Sequence, residues 1–401
     1  MANKSKTVCA VMAEYNPFHN GHKYIVHSLK QNDSDTVTAV MSESFVQRGE
    51  CACVSPYART KMALENGVDL VLSLPVVYAT ASAERFAGAG VDILRASGVV
   101  DCLGFGSETG DAALLYECAK ALLSTETDEC IVKYLSQGVS FPQSRENAVN
   151  ELFGEKVSSV LSNPNDILGV EYIKSLLKSN SLIKAVPVKR IGAAHDSDEY
   201  SSDICSATMV RNLLAENQDA NKFLPDATSE ILKEYVSNGK APADYKKTEN
   251  AILYKLRLMS VQDFHSLPDV SEGLEHRIYN AVRSSVSLDE ILEKVKTKRY
   301  THSRLRRIIL CAFLGITKND VIAPVPYIRV LGFNEKGAKL LKEAKEKSTL
   351  QIITRPSEIK ELNFSAQRFF ELECIARDLF SLALPEPDVC GKEMTDKIIV
   401  L

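Results

Sequence analysis

The feature that most constrains the fold is an alternation of short apolar runs with helix-like segments over the first half of the chain. The apolar runs, rich in β-branched residues, occupy residues 7–13, 36–41, 68–74, 99–105 and 183–189. Helix-like segments lie between them, at residues 21–30, 56–66 and 165–178. Strands alternating with helices predict an α/β fold, in which helices cover both faces of a parallel sheet. Ligands of such sheets bind at the carboxyl ends of the strands, near the switch in strand order.

The pattern changes after about residue 225. Helices are predicted at residues 228–237, 250–260, 273–284, 288–296, 302–314 and 365–380, and two short strand candidates lie at 327–331 and 350–354. Polar residues at 217–219 and the pair Pro225-Asp226 are typical of loops between these two regions. We therefore expect two domains, an α/β domain over residues 1–225 and a mainly helical domain over residues 226–401.

Composition limits the classes of protein that remain. A net charge of -4 does not require a nucleic-acid or membrane partner, although a total can hide local patches. The apolar run before Glu14 is too short for a signal peptide, and the uncharged run at residues 70–83 is shorter than the ~18 residues that span a bilayer. The ten cysteines include no Cys-x-x-Cys pair. We expect a cytoplasmic protein with reduced thiols and no membrane association.

The segment EYNPFHNGH, residues 14–22, directly follows the first predicted strand and opens the first helix. A glycine between His19 and His22 lets the backbone approach a bulky group, and a helix N-terminus attracts anions. Imidazole N–H groups can donate hydrogen bonds to phosphate oxygens. The chain has no Gly-x-x-x-x-Gly-Lys loop, so histidines and amides would hold the phosphate. The alternative is a loop in which both histidines are merely satisfied polar residues; the strand before and the helix after favour the phosphate site.

This segment resembles the His-x-Gly-His signature of the nucleotidyltransferase superfamily, which implies a Rossmann-like nucleotidyltransferase sheet. The second signature of that superfamily is similar to ICSATMVR, residues 204–211. There Ser206 and Thr208 present hydroxyls at a helix start, and Arg211 supplies a forked cation for phosphate. Ser-x-Thr also makes ordinary helix caps, so the second motif gains its weight from the first.

A closer resemblance, to the tRNA(Met) cytidine acetate ligase family, covers most of the chain. The segments that carry it are AEYNPFHNGH, ESFVQRGECACVSPYARTKMALENGVDLVLSLP, ASAERFAGAGVDIL, GFGSE, NDILGVEYIKSL and KRIGAAHDS. The resemblance implies that ATP, with Mg²⁺, activates acetate to acetyl-adenylate. It further implies transfer of the acetyl group to N4 of the wobble cytidine, in the anticodon loop of elongator tRNA(Met).

The resemblance also implies site residues. The catalytic candidates are His19, His22, Ser206, Thr208 and Arg211. The candidate ATP-binding residues are Met12, Ala13, Glu14, Tyr15, Asn16, Pro17, Phe18, His19, Asn20, Gly21, His22, Gly106, Asn165 and Arg190. No dedicated metal ligands are expected, since magnesium would come with the nucleotide phosphates. The family usually has Asn where this chain has Asp166, so Asn165 is the better ligand candidate and the role of Asp166 stays open. Gln47 and Arg48 could face acetate or cytidine, or form a surface turn.

A basic stretch at residues 294–318 is the candidate tRNA surface. It carries eight basic residues and no acidic one: Lys294, Lys296, Lys298, Arg299, Arg304, Arg306, Arg307 and Lys318. Arg304 and Arg307 are one helical turn apart and could bind a phosphate backbone, or the helix face could simply be solvated. Two other functions stay open: an adenylyltransferase for a small molecule, and a non-catalytic RNA-binding protein that retains a nucleotide pocket.

Overall fold

The computed structural model describes residues 7–31, 34–191, 203–271, 273–297 and 300–401. The strands in these ranges are β1 (Thr7–Ala13), β2 (Ser34–Ser42), β3 (Phe45–Val46), β4 (Glu50–Cys51), β5 (Leu70–Leu74), β6 (Cys102–Ser107), β7 (Lys184–Lys189), β8 (Ile328–Phe333), β9 (Ile352–Ile353) and β10 (Ile399–Val400).

The helices fall into two groups along the chain. Those before residue 225 are α1 (Asn20–Gln31), α2 (Pro56–Glu65), α3 (Val76–Ala79), α4 (Ala83–Ser97), α5 (Ala112–Ala121), α6 (Thr125–Ser136), α7 (Phe141–Phe153), α8 (Glu155–Ser158), α9 (Pro164–Lys178) and α10 (Ala207–Ala215). Those after it are α11 (Asp226–Ser237), α12 (Glu249–Leu258), α13 (Val261–His265), α14 (Leu274–Arg283), α15 (Leu288–Val295), α16 (His302–Leu314), α17 (Lys318–Ile322), α18 (Glu335–Lys347), α19 (Phe364–Ser381) and α20 (Lys392–Thr395).

The main sheet has the strand order β10-β8-β5-β2-β1-β6-β7, with β9 paired to β8. Strands β5, β2, β1, β6 and β7 are parallel to one another, which confirms the predicted Rossmann-like α/β fold. The sheet is not wholly parallel, however, because β8 runs antiparallel to β5. Strand β8 arrives from the helical part of the chain rather than through a βαβ crossover, so the crossover rule does not fix its direction.

Strand β1 lies at the switch in strand order. From β1 the chain proceeds outward through β2 and β5 on one side, and through β6 and β7 on the other. A crevice forms at such a switch, beyond the carboxyl ends of the strands. The residues that follow β1, beginning at Glu14, therefore lie where a ligand is expected.

Two apolar cores pack on opposite faces of the sheet. Along β1, Val8 and Ala10 belong to one core, while Cys9 and Val11 belong to the other, as the two-residue period of a strand requires. The first core extends to Leu310 of α16 and takes in Phe369 of α19. Most helices of the second half of the chain thus cover this face of the sheet, whereas α11 packs on the other face through Ile231 and Leu232.

The predicted elements after residue 225 are confirmed by α11, α12, α14, α15, α16 and α19 and by the short strands β8 and β9. The domain division at residues 225/226 stays a prediction, and β8 joins the sheet from beyond it. None of the described helices combines the length and the apolar character that a membrane crossing requires.

The expectation of reduced thiols is wrong for one pair of cysteines. Cys9 of β1 and Cys102 of β6 form a disulfide, with Cα atoms 4.6 Å apart. They are register partners on adjacent strands, so their side chains leave the sheet side by side on the same face. The sequence could not reveal the pair, because the two residues are 93 positions apart.

Candidate active site

The two histidines of the His-x-Gly-His segment lie together at the start of α1. Their rings are stacked, with centroids 3.8 Å apart. The Gly21 N–H donates to His19 Nδ1 at 3.0 Å, and the His19 N–H donates to His22 Nδ1 at 3.2 Å. An imidazole that accepts at Nδ1 carries its proton on Nε2 when neutral. Each ring therefore has one N–H left to donate, from Nε2.

Burial keeps both rings neutral. It lowers the pKa of His19 to about 4, helped by the nearby charges of Arg190 and Arg211. The pKa of His22 lies well below its ordinary value, first through burial and then through His19 and Arg190. A neutral imidazole N–H still donates to a phosphate oxygen. The site thus gains donors that do not depend on protonation near neutral pH.

Gly21 is required by close packing between the histidine rings and the helix start. A Cβ atom at this position would lie 2.8 Å from Cε1 of His19. A side chain there would displace the His19 ring. The N–H groups of Gly21 and His22 are both bonded to His19, so imidazole groups replace these helix amides as candidate donors to an anion.

The second motif meets the first in space. Ser206 caps α10, since its Oγ accepts from the Met209 N–H at 3.2 Å. Arg211, one turn into α10, donates from Nη1 to the Asn16 carbonyl at 2.9 Å and from Nη2 to Thr208 Oγ1 at 3.2 Å. Thr208 and Arg211 therefore lie at the end of β1. Ser206 also makes the ordinary helix cap that the sequence left open.

A hairpin after β2 brings a second arginine to this place. Arg48, between β3 and β4, donates from Nη1 to Thr208 Oγ1 at 3.3 Å. The Gln47 N–H donates to Glu14 Oε1 at 2.9 Å. Burial raises the pKa of Glu14, against the opposing effects of the Gln47 hydrogen bond and of Arg211 and Arg48. Gln47 and Arg48 thus lie in a turn beside the end of β1, where Arg48 is exposed and still reaches Thr208.

Arg59, which sequence reasoning missed, holds the strand ends in place. Its side chain is fully buried in α2. It donates from Nη1 to the carbonyls of Glu14 at 2.6 Å and Ser42 at 2.8 Å, and from Nη2 to the Glu43 carbonyl. The Glu14 carbonyl directly follows β1, and the other two lie at and just after the end of β2. No sequence signal separates Arg59 from other helix arginines, because its role depends on long-range burial.

A small cavity of about 130 Å³ adjoins the histidines between β1 and β6. Met12, Tyr15 and His22 line one part of it; Gly106, Asn165 and Arg190 line another. Arg190 Nη1 donates to Asn165 Oδ1 at 3.5 Å. A Cβ atom at Gly106 would lie 3.2 Å from Ile25 and 3.4 Å from the Arg190 side chain, so the missing side chain keeps this wall open. The structure thus brings these distant sequence candidates together.

Asp166, whose role the sequence left open, is fully buried. Its carboxylate accepts from the Thr109 N–H at 3.1 Å, from Asn163 Nδ2 at 3.0 Å and from the Ser107 hydroxyl. It fixes the turn after β6 against the start of α9.

The remaining candidate ATP-binding residues hold the turn after β1 and the start of α1 in place. Asn16 accepts from the Cys53 N–H at 2.7 Å through Oδ1. Asn20 Nδ2 donates to the carbonyls of Asp203 at 2.8 Å and Lys222 at 3.1 Å, which fastens the segment before α10 to α1. Ala13, at the end of β1, is buried, and so are Pro17 and Phe18 in the turn that follows.

The basic stretch is less available to a ligand than its sequence indicates. Arg304 donates to the Asp269 carbonyl from Nη2 at 2.6 Å, and Arg307 pairs with the Asp269 carboxylate at 3.8 Å with only 16% of its side chain exposed. These two side chains fasten α16 to the turn at Asp269. Arg306 is 45% exposed and pairs with Glu50 at 2.7 Å. Lys298 and Arg299 lie outside the described residues. The sequence also contains a polar group at His195, Asp196, Asp198 and Glu199, whose spacing predicts a polar loop and not a metal site, and it lies outside the described residues too.

In the part of the chain that the structure describes, no group of three or more His, Cys, Asp or Glu is arranged to hold a metal ion. The site at the end of β1 is instead rich in N–H donors, from two neutral imidazoles and two guanidinium groups. Such a group of fixed donors can stabilise negative charge on phosphate oxygens.

Comparisons with known proteins agree with this geometry. A family model described as HIGH nucleotidyl transferase matches residues 6–395. A tRNA(Met) cytidine acetate ligase of Thermoanaerobacter sp. is 39% identical, and the match covers 98% of this chain and 100% of that protein. The crystal structure of Thermotoga maritima TmcAL bound with alpha-thio ATP has a TM-score of 0.91 at 36% identity, covering 98% of this chain and 99% of the other. The apo form of the same Thermotoga protein has a TM-score of 0.93.

Proposed function

This chain belongs to the HIGH nucleotidyl transferase family, and we propose that it is a tRNA(Met) cytidine acetate ligase. It consumes ATP and acetate, and it acetylates N4 of the wobble cytidine in the anticodon loop of elongator tRNA(Met). The observation that carries the proposal is the meeting of His22, Arg48, Thr208 and Arg211 at the end of β1, where the strand order switches.

In the first step an acetate oxygen attacks the α-phosphorus of ATP. The bond from that phosphorus to the bridging oxygen breaks, and pyrophosphate leaves with the electron pair. The neutral Nε2–H groups of His19 and His22 and the fork of Arg211 donate to phosphate oxygens as charge develops, together with the hydroxyls of Ser206 and Thr208. Fixed donors of this kind provide most of the acceleration, because the protein forms no covalent bond in this step.

The nucleotide base and ribose occupy the side of the crevice lined by Met12, Gly106, Asn165 and Arg190. The turn from Ala13 through Phe18 carries the backbone past the nucleotide, with Asn20 and Gly21 at the start of α1. Magnesium would enter with the nucleotide and would neutralise part of the phosphate charge, beside the donors of His19, His22 and Arg211.

In the second step the exocyclic amine of cytidine attacks the carbonyl carbon of acetyl-adenylate. The bond from that carbon to the phosphate oxygen breaks, AMP leaves, and the amine loses one proton. Burial raises the pKa of Glu14, which suits its carboxylate to accept that proton. Residues 1–225 carry the adenylation site, and residues 226–401 hold the tRNA. A tRNA substrate also suits a cytoplasmic enzyme.

Exchange of labelled pyrophosphate into ATP tests the proposal. We expect exchange that requires acetate and proceeds without RNA, because the first step is complete before tRNA is used. Exchange that requires a different small molecule instead would indicate an adenylyltransferase of another substrate. Absence of any exchange, with RNA binding retained, would indicate a non-catalytic RNA-binding protein.

A further inference from the structure

Glu108 follows β6 and places its carboxylate at the start of α9, beside the small cavity that adjoins the histidines. Its Oε2 accepts from the Asp166 N–H at 3.0 Å, and its Oε1 accepts from the Asn165 N–H at 3.4 Å and from Asn165 Nδ2. We propose that Glu108 is a positioning residue for the nucleotide. It fixes the side-chain amide of Asn165, so that Asn165 Oδ1 accepts a hydrogen bond from a donor group of the bound nucleoside. The inference rests on the proposed function, under which the nucleoside occupies this cavity.

Glu108 caps α9 from outside the helix. Asn163 precedes α9, but its side chain makes no cap hydrogen bond and donates to Asp166 Oδ2 at 3.0 Å instead. Pro164, the first residue of the helix, has no N–H group to donate. The Glu108 carboxylate therefore meets the first two N–H groups that the helix offers, where a negative charge is favoured. This cap holds the carboxylate in one place.

The two ends of the Asn165 amide face different partners. An ionised carboxylate accepts hydrogen bonds and donates none, so the end of the amide that meets Glu108 must be the NH₂ group. The other end turns its oxygen toward Arg190, whose Nη1 donates to Oδ1 at 3.5 Å. That distance is long for a hydrogen bond, so Glu108 contributes more to the orientation of the amide than Arg190 does.

The orientation of the amide limits which ligand groups Asn165 can bind. Asn165 and Arg190 line the cavity together with His22 and Gly106. Because Glu108 holds the NH₂ group, Asn165 presents an acceptor oxygen to the cavity and no donor. A phosphate oxygen is itself an acceptor and cannot bind there. A ribose hydroxyl or the 6-amine of adenine can donate to it, so Asn165 selects for the nucleoside part of the substrate.

The charge of Glu108 by itself would have the opposite effect on binding. Glu108 is an anion, and the nucleotide carries a negatively charged triphosphate. Removing the charge alone would reduce repulsion and strengthen ATP binding. Losing the orientation of Asn165 would weaken ATP binding, because one hydrogen bond to the nucleoside would no longer be prepared before the ligand arrives. The two effects therefore differ in sign, and ATP affinity separates them.

Glu108→Gln is the variant that tests the orientation. It keeps the shape of the side chain but replaces an acceptor with a group that both donates and accepts, so it no longer selects one orientation of the Asn165 amide. Glu117→Gln, at an exposed position on α5, is the matched control. Calorimetry measures ATP affinity for wild type, both variants, Asn165→Ala and the double variant Glu108→Gln/Asn165→Ala.

We expect Glu108→Gln to lower ATP affinity about twofold to tenfold, the range for one neutral hydrogen bond. The KM for ATP in acetate-dependent pyrophosphate exchange should rise by the same factor, with kcat near that of wild type, and Glu117→Gln should behave as wild type. In the Asn165→Ala background, Glu108→Gln should no longer lower ATP affinity, because the two side chains act as a unit.

Two results would overturn the proposal. A loss of the same size in both backgrounds would mean that Glu108 acts through the fold of α9 and not through the Asn165 amide. Unchanged or tighter ATP binding in Glu108→Gln would mean that only a repelling charge had been removed.

Nucleotide analogues identify the donor that meets Asn165. The analogues 2′-deoxyATP, 3′-deoxyATP and purine riboside triphosphate each lack one candidate donor. The loss caused by Glu108→Gln should disappear for a deoxy analogue if the donor is a ribose hydroxyl, and for the purine analogue if it is the 6-amine. An equal loss for ATP and all three analogues would contradict a hydrogen bond to Asn165. If wild type binds ATP but shows no acetate-dependent exchange, the proposed function fails, and the ATP affinities still decide the role of Glu108.

Discussion

The imidazole ring of His19 stacks on that of His22, with centroids 3.8 Å apart and 28° between the ring planes. Both rings accept a backbone N–H at Nδ1, so both present their proton on Nε2. Burial holds both pKa values below the ordinary range. The pair therefore works as two aligned neutral donors, not as a pair of cations.

The first prediction concerns His22. In His22→Ala one fixed donor is lost, and such losses typically lower a rate by about 10²–10³. We expect a decrease of that order in acetate-dependent pyrophosphate exchange, with little change in melting temperature. His27→Ala is the matched control, because His27 is exposed on the same helix and is bonded only to Gln31 among the described residues. Equal exchange rates in the two variants would show that His22 does not act on the phosphates of ATP.

Arg211 should not tolerate lysine. Its guanidinium group reaches the Asn16 carbonyl and Thr208 Oγ1 at once, and an ammonium group cannot make both bonds with the same fork. We expect Arg211→Lys to raise the KM for ATP and lower the exchange rate at least about tenfold. Arg95→Lys, at an exposed pair with Asp92 on α4, is the control. An unchanged ATP dependence in Arg211→Lys would reduce the second motif to a helix cap.

Neighbouring arginines on α16 should separate RNA binding from stability. Arg306 is 45% exposed, whereas Arg307 is mostly buried against Asp269. We expect Arg306→Ala to weaken tRNA binding and to reduce the slope of log affinity against log salt by about 0.7, the value for one phosphate contact on a single strand. Arg307→Ala should lower the melting temperature instead. Binding titrations at several salt concentrations measure the first effect, and thermal unfolding measures the second. Unchanged tRNA binding in Arg306→Ala, together with weaker binding and an unchanged melting temperature in Arg307→Ala, would refute this prediction.

A buried acidic cluster makes stability depend on pH. Glu393 is 1% exposed and pairs with Arg329, which also pairs with Glu43 at 3.4 Å. Burial raises the pKa of Glu393 from 4.5 to about 7, despite the opposing charge of Arg329. Between those values the folded chain binds more protons than the unfolded chain. The contribution of Glu393 to the free energy of unfolding should therefore fall as pH rises from about 4.5 to 7, by roughly 3 kcal/mol.

Glu393→Gln isolates this effect. The depressed pKa of His19 acts with the opposite sign, because an unfolded histidine takes up protons that the folded one does not. Comparing wild type with Glu393→Gln at each pH cancels that contribution. Denaturant unfolding at pH 5 and pH 8 should show the variant gaining stability relative to wild type at the higher pH. A difference that does not vary with pH would contradict the raised pKa.

The sequence predicted the features that depend on local pattern. Strand β1 is predicted at residues 7–13 and is Thr7–Ala13, and the helix predicted at residues 56–66 is α2, Pro56–Glu65. The histidine motif could be found because its residues are contiguous. Arg211 could be found because the resemblance supplied a second motif.

Features that depend on contacts between distant residues could not be predicted. The direction of β8, the disulfide from Cys9 to Cys102 and the buried role of Arg59 all arise from packing across the chain. The expectation that Arg307 is available to bind RNA depended on composition alone. Composition does not reveal that Arg307 pairs with Asp269 and is mostly buried. Gly49 is another example, because it allows close packing against α16. A Cβ atom at position 49 would lie 2.8 Å from the Arg306 backbone.

The most direct test of the central claim follows the carbon of acetate into RNA. Elongator tRNA(Met) is incubated with the protein, ATP and acetate labelled with ¹³C, and its nucleosides are then analysed by mass spectrometry. We expect labelled N4-acetylcytidine from the wobble position, formed only when ATP and acetate are both present. Absence of the label from cytidine, or its appearance without ATP, would contradict the account.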